Sequence, residues 1–138
     1  MSEESEQLSL CKYIKLQYKD AIFNSDHSGI RVSPGLANKI KSLHSVNGIP
    51  DLNIDEARGG FFGLKIELKA TGKSPYKKDG SLKKDDHLET QAELLKKLSK
   101  KGYLAKFCTG FDEAKELVDF YMNLPETKQE TFLENHIS

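Results

Sequence analysis

The run GLKIELKA at residues 63–70 places charged side chains inside an apolar, strand-forming segment. On an extended strand the side chains alternate between two faces. The Leu and Ile residues therefore share one face, while Glu67 and Lys69 share the other, roughly 6.5 Å apart. The apolar residues predict that the strand is mostly buried, where two adjacent charges cost free energy unless they have a role. The segment therefore predicts a buried strand that contributes to a functional site.

An upstream acidic residue, Asp51, ends a short run that contains Pro50. If its segment pairs with the Glu67 strand, two carboxylates and the Lys69 ammonium group converge. Two carboxylates about 4 Å apart repel by around 4 kcal/mol at a protein-like dielectric, so both stay ionised only with a cation between them. Magnesium prefers oxygen ligands and lowers the pKa of a bound water, which suits phosphodiester hydrolysis. The alternative is a solvated strand face with a surface ion pair, and Asp51 as a turn residue.

The order of motifs along the chain is more specific than the charged strand alone. The motifs are Gly-Ile-Pro-Asp at 48–51, Glu-Leu-Lys-Ala at 67–70, Gln-Ala-Glu-Leu-Leu at 91–95, Gly-Tyr at 102–103 and Cys-Thr-Gly-Phe at 108–111. This order resembles the VRR-NUC group, the virus-type replication-repair nuclease branch of the PD-(D/E)xK superfamily, from the first helix to about Met122. The resemblance implies a Mg²⁺- or Mn²⁺-dependent DNA endonuclease of DNA repair or recombination. Such enzymes are expected to act on branched DNA such as Holliday junctions or flaps, often as homodimers.

The resemblance also implies the roles of individual residues. Asp51 and Glu67 would be metal ligands, helped by the backbone carbonyl of Leu68. Lys69 would be the catalytic lysine that activates or steers a water molecule, and Gln91 would orient Lys69 or the scissile phosphate. Family members also carry an acidic residue on the first helix. The candidates for that position are Glu6 and, as alternatives, Glu3 and Glu4.

Basic residues are concentrated in the middle of the chain, although the formal net charge is zero. Between Arg31 and Lys106 there are sixteen Lys and Arg residues against nine Asp and Glu residues. A basic middle suits phosphate binding, although a merely lysine-rich surface is the alternative. Phosphate contacts carry no base code, so we expect selectivity to come from DNA shape. The residues predicted to contact DNA are Arg31, Lys73, Lys77, Lys78, Lys83 and Lys84.

The periodicity predicts a single α/β domain with a mixed β-sheet flanked by helices, over residues 1–124, followed by a polar tail at 125–138. Helices are expected over 5–18, 33–44, 86–101 and 112–122, and strands over 20–24, around Asp51, over 61–70 and over 103–108. The third helix is expected to open with a capping box at Asp86 and Glu89 and to end at Gly102. Phe120 is expected on the inward face of the last helix. Residues 71–85 have no period and are expected to form a long loop that contacts DNA or acts as a lid.

Other classes of protein fit the sequence less well. Cys11 and Cys108 lack metal-ligand spacing, so we expect no zinc site, and a reduced protein in the cytoplasm of a bacterial or phage-infected cell. No apolar run approaches membrane-spanning length, so no membrane partner is expected. The main competitor is a non-catalytic DNA-binding or assembly module that retains the nuclease fold. An enzyme of the same fold acting on RNA is a second alternative.

Overall fold

Four helices and four strands lie along the part of the chain that the computed structural model describes, residues 2–26, 32–46 and 48–128. In chain order they are α1 (Glu3–Gln17), β1 (Phe23–Ser25), α2 (Pro34–Ser42), β2 (Leu52–Ile54), β3 (Leu64–Lys69), α3 (Asp86–Lys100), β4 (Leu104–Thr109) and α4 (Gly110–Met122). Each predicted helix and strand is present, with its ends shifted by a few residues. The predicted single α/β domain is confirmed.

The four strands form one mixed sheet in the order β1-β2-β3-β4. β1 and β2 are antiparallel, as are β2 and β3, with Leu52 opposite Ile66. β3 and β4 are parallel, with Glu67 level with Phe107, and α3 forms the crossover between them. β2 and β3 therefore form an antiparallel hairpin, and the sheet is mixed, as the sequence predicts.

The main hydrophobic core lies between one face of the sheet and helices α1 and α4. Its buried residues are Leu10, Ile14, Leu52, Ile54, Leu64, Ile66, Leu68, Cys108, Ala114, Val118, Tyr121 and Met122. Because the side chains of β3 alternate, the burial of its Leu and Ile residues in this core turns its charged residues toward α3.

A polar cluster joins α1 to α4 beside this core. The hydroxyl groups of Tyr13 and Tyr18 donate hydrogen bonds of 2.6 Å and 2.7 Å to Oδ1 of Asp119. The ammonium group of Lys115 lies 3.0 Å from the other oxygen, Oδ2. Both oxygens of the Asp119 carboxylate thus accept hydrogen bonds, and the cluster stabilises the packing of α1 against α4.

The boundaries of α3 and the inward face of α4 differ from the predictions. The carboxylate of Asp85, and not that of Asp86, caps α3 by accepting a hydrogen bond of 3.0 Å from Leu88 N. The third helical residue is then Leu88, so the expected capping box with a glutamate does not form. In α4 the buried stripe includes Val118 and Tyr121, while Phe120 is 58% exposed. Phe120 lies about 100° around the helix from its neighbour and so faces away from the core.

A small hairpin replaces part of the long loop expected between β3 and α3. Tyr76 and Leu82 form an antiparallel bridge, and Lys83 N donates to Pro75 O at 2.9 Å. Pro75 is buried, and the ring of Tyr76 packs edge-on against Phe107 with centroids 6.0 Å apart. These contacts give residues 71–85 a defined structure, even though their sequence does not show the alternation of apolar and polar residues that is typical of a strand.

The start of the predicted polar tail is paired with the turn between β2 and β3. Thr127 N donates to Ala57 O at 2.9 Å, and Gly59 N donates to Pro125 O at 2.8 Å. Residues 129–138 lie outside the described residues, so the rest of the tail stays a prediction. Within the described ranges, no helix is both long enough and apolar enough to span a membrane.

Candidate active site

Asp51 and Glu67 lie together on the α3 side of the sheet. Continuing the antiparallel register of β2 and β3 by one residue brings Asp51 level with Glu67. Both side chains are buried, at 3% and 4% exposure. The Asp51 Oδ2 atom accepts a hydrogen bond of 2.8 Å from Leu68 N, which fixes its carboxyl group beside β3. The two carboxyl groups are near enough that each shifts the pKa of the other.

The proximity of these carboxyl groups disfavours two negative charges. Burial raises the pKa of Glu67, and the charge of Asp51 raises it further. Burial also raises the pKa of Asp51, although the hydrogen bonds from Glu67 and Leu68 N oppose that rise. The pair therefore holds a proton unless a cation replaces it.

Lys69 is connected to Glu67 through a side chain of α3. Lys69 Nζ donates a 2.7 Å hydrogen bond to Gln91 Oε1, and Gln91 Nε2 donates a 2.9 Å hydrogen bond to Glu67 Oε1. Gln91 is 6% exposed and stands where the crossover helix passes over the end of β3. A buried amide needs partners for both its oxygen and its nitrogen, and these two residues supply them.

The first helix presents two acidic residues in different environments. Glu6 is buried, and its carboxylate accepts hydrogen bonds from Thr71 N at 3.0 Å, from the Thr71 hydroxyl and from Phe111 N at 3.4 Å. It thus ties α1 to the residues that follow β3 and to the start of α4. Glu3 is half-buried; burial raises its pKa, and the charge of Asp51 raises it further. Because Glu6 is engaged by protein donors, Glu3 is the better candidate for an acid of α1 that faces the site.

Two residues that sequence reasoning missed support the main chain at Asp51. Gln7, also on α1, donates a 2.7 Å hydrogen bond to the Ser25 hydroxyl, which in turn donates a 2.6 Å hydrogen bond to the carbonyl oxygen of Asp51. Gln7 is 8% exposed, so it is a polar residue on the buried face of a helix. That burial, which the periodicity of α1 could have indicated, is the signal that would have found it.

The donor set suits a hard divalent cation. Within residues 2–26, 32–46 and 48–128, no three His, Cys, Asp or Glu side chains form a ready-made metal cluster. Mg²⁺, however, needs only one or two carboxylates and keeps several waters. The buried pair of Asp51 and Glu67, beside the main chain of Leu68, meets that requirement.

The lysines predicted to contact DNA are exposed on the segment that follows β3. They are Lys73, Lys77, Lys78, Lys83 and Lys84. This segment starts at the end of β3 that carries Lys69. Arg31 lies outside the described residues.

The described fold is a small α/β domain whose mixed sheet carries two buried carboxyl groups beside a lysine. A solved structure described as "VRR_NUC domain protein" matches with a TM-score of 0.68 and 27% sequence identity, over 93% of this chain and 93% of that chain. The chain is similar to that VRR-NUC domain protein in fold and in sequence, as its motif order predicts, and this likeness supports a nuclease-type domain. No family model and no curated protein sequence matches it.

Proposed function

We propose that this protein is a metal-dependent DNA endonuclease. The observation that carries the proposal is the buried pair of Asp51 and Glu67 with Lys69 linked to it through Gln91. Asp51, Glu67 and the Leu68 carbonyl would hold Mg²⁺ or Mn²⁺, with an acid of α1 acting through water. The bound cation would lower the pKa of a water molecule and polarise the scissile phosphate.

Lys69 and Gln91 position the reacting groups. The hydrogen bond from Lys69 to Gln91 restricts the ammonium group to the side of Glu67. There it orients the attacking water and stabilises the negative charge that develops on the phosphoryl oxygens. Gln91 also restrains one oxygen of Glu67, which leaves the other oxygen for the cation.

The substrate that we propose is branched DNA, such as a Holliday junction or a flap. The exposed lysines after β3 would bind phosphates on either side of the cleaved bond. Such contacts release counterions, so affinity should fall steeply as the salt concentration rises. They also carry no base information, which fits selection by DNA shape.

We also propose that the protein works as a homodimer. Helix α2 has no buried residue among its nine, while Leu36 is 46% exposed and Leu43, just after the helix, is 75% exposed. So short a helix is marginal in water without packing, and a second copy would supply that packing. A two-fold dimer could place two sites on opposed strands of a junction. Light scattering should therefore give twice the mass of the chain.

The function is tested by digesting linear, flapped and four-way DNA with and without Mg²⁺. Asp51→Asn should reduce cleavage by about a thousandfold or more, because a bound metal contributes several kcal/mol to the transition state. Lys69→Met should reduce it by about 100- to 1,000-fold. The matched control Lys100→Met changes an exposed lysine of α3 and should cleave as the wild type does.

Two outcomes would favour the alternatives. Salt-sensitive binding without metal-dependent cleavage would identify a non-catalytic DNA-binding module. Faster cleavage of RNA than of DNA with the same branched shape would identify a ribonuclease.

A further inference from the structure

A cavity of about 290 Å³ lies between α3 and the segment that precedes β2. Its wall is formed by apolar side chains that include Val46, Ile49, Leu94 and Leu98. Three lysines also line it, namely Lys65, Lys97 and Lys101, and no acidic residue does. The cavity therefore combines an apolar wall with a cationic lining.

The cavity is next to the carboxylate pair. Pro50, which lines it, directly precedes Asp51. Lys65 stands on the same face of β3 as Glu67, two residues earlier and so about 6.5 Å away along the strand. A Cβ atom added to Gly48, the residue before the lining residue Ile49, would lie 3.9 Å from Gln91 Cγ. A nucleic-acid strand that crosses the carboxylate pair would therefore reach the cavity within about one or two nucleotides.

We propose that this cavity binds the base of an unpaired nucleotide of the substrate while its lysines bind the adjoining phosphates. This inference rests on the proposed nuclease function and specifies its substrate. The volume is near the lower end of the range for ligand pockets, about 300–1,000 Å³, so it suits a single base. The aliphatic residues contact the base, and three lysines with no acid among the lining residues complement a phosphodiester chain. A flap, which has unpaired nucleotides, then binds better than a fully paired junction.

A pair of double variants tests the lysines. Lys97→Glu with Lys101→Glu reverses two charges at the cavity, whereas Lys96→Glu with Lys100→Glu makes the same change on exposed residues of the same helix that do not line the cavity. Binding is measured with Ca²⁺ in place of Mg²⁺, on a flapped duplex and on a fully paired duplex. The variant at the cavity should weaken binding of the flap by about tenfold more than the control variant does. Both variants should weaken binding of the fully paired duplex to the same extent. Thermal unfolding confirms that both variants are folded.

The wild type also tests the apolar wall directly. A flap whose unpaired nucleotides next to the branch are abasic keeps its phosphates but lacks the bases. It should bind about tenfold more weakly than the normal flap, because it has no base to bury against the apolar wall. Equal affinity for the two flaps would overturn the assignment of a base to the cavity.

Failure of this inference can be distinguished from failure of the proposed function. Suppose that the wild type cleaves DNA in a metal-dependent way but binds normal and abasic flaps equally, and that the two double variants have equal effects. This result would overturn the inference about the cavity and leave the proposed nuclease function standing. No binding of any DNA by the wild type would overturn both. If Lys97→Glu with Lys101→Glu changed the mass of the protein in solution but left its affinity for the flap unchanged, the cavity would instead be assigned to a contact between two copies of the protein.

Discussion

Gln91 Oε1 accepts a 2.7 Å hydrogen bond from Lys69 Nζ while its amide nitrogen donates to Glu67. One amide of α3 thus fixes the relative positions of a carboxylate and an ammonium group on β3. Neither charged group could keep this position through strand geometry alone, because long side chains rotate freely unless a partner restrains them.

We expect Gln91→Ala to lower kcat for DNA cleavage by about 10- to 100-fold, the usual effect of removing a residue that orients metal ligands. The KM for DNA should change little, because Gln91 positions Lys69 and Glu67 and does not itself bind the duplex. Glu93→Ala, an exposed change on the same helix, is the control. A rise in KM with unchanged kcat would contradict the positioning role.

The two acids of α1 should differ in what they support. Glu6→Gln should lower the free energy of unfolding by about 1–3 kcal/mol, because an amide cannot accept all the hydrogen bonds that the carboxylate receives from Thr71 and Phe111. Glu3→Gln should weaken Mn²⁺ binding and leave thermal stability nearly unchanged. Calorimetric titration and thermal unfolding of both variants check this, and the reverse pattern would return the metal role to Glu6.

Without a divalent cation, stability should depend on pH through Asp51 and Glu67. Burial raises the pKa of Glu67 above its ordinary value of 4.5, so the folded protein binds this proton more tightly than the unfolded chain does. The contribution is complete below about pH 4.5 and decreases as the pH rises toward the folded pKa. Thermal unfolding in EDTA should therefore show a melting temperature that falls across neutral pH. Glu67→Gln should remove most of that fall, and a slope equal to that of the wild type would contradict the assignment.

The Asp119 cluster should have the opposite pH dependence. Burial raises the pKa of Asp119, but the hydrogen bonds from Tyr13, Tyr18 and Lys115 outweigh it and lower the pKa below 3.8. The resulting stability is present above about pH 3.8 and is lost as the pH falls through the folded pKa. Asp119→Ala should lower the free energy of unfolding at pH 7 by about 1–3 kcal/mol, since two tyrosine hydroxyls lose their acceptor. Urea unfolding measures this, and cleavage by the folded variant should be unchanged.

The sequence predicts the strands of the site well because their signals are local. Alternation in β3, a turn with two glycines and the short apolar run around Asp51 indicate the β2–β3 hairpin, although β2 begins only after Asp51, at Leu52. Gln91 was also predictable, because it interrupts the apolar stripe of α3 at a buried position.

Other features depend on contacts between distant residues, which no local pattern contains. Glu6 accepts a hydrogen bond from Thr71 N, sixty-five residues away in the chain. Its structural role could therefore not be predicted from the local sequence. The hairpin at Tyr76 and Leu82 is held by the burial of Pro75 and by the ring of Phe107, a residue of β4. The prediction that Phe120 faces inward was wrong because several apolar residues of α4 compete for one buried stripe, and Val118 and Tyr121 occupy it.

We propose that Asp51 and Glu67 bind one cation between them. Anomalous diffraction from a crystal soaked in Mn²⁺ tests it most directly. We expect one strong peak at about 2.0–2.3 Å from an oxygen of each carboxylate, which Asp51→Asn abolishes or greatly weakens. Metal-dependent cleavage by a protein whose crystals show no Mn²⁺ between these two residues would contradict it.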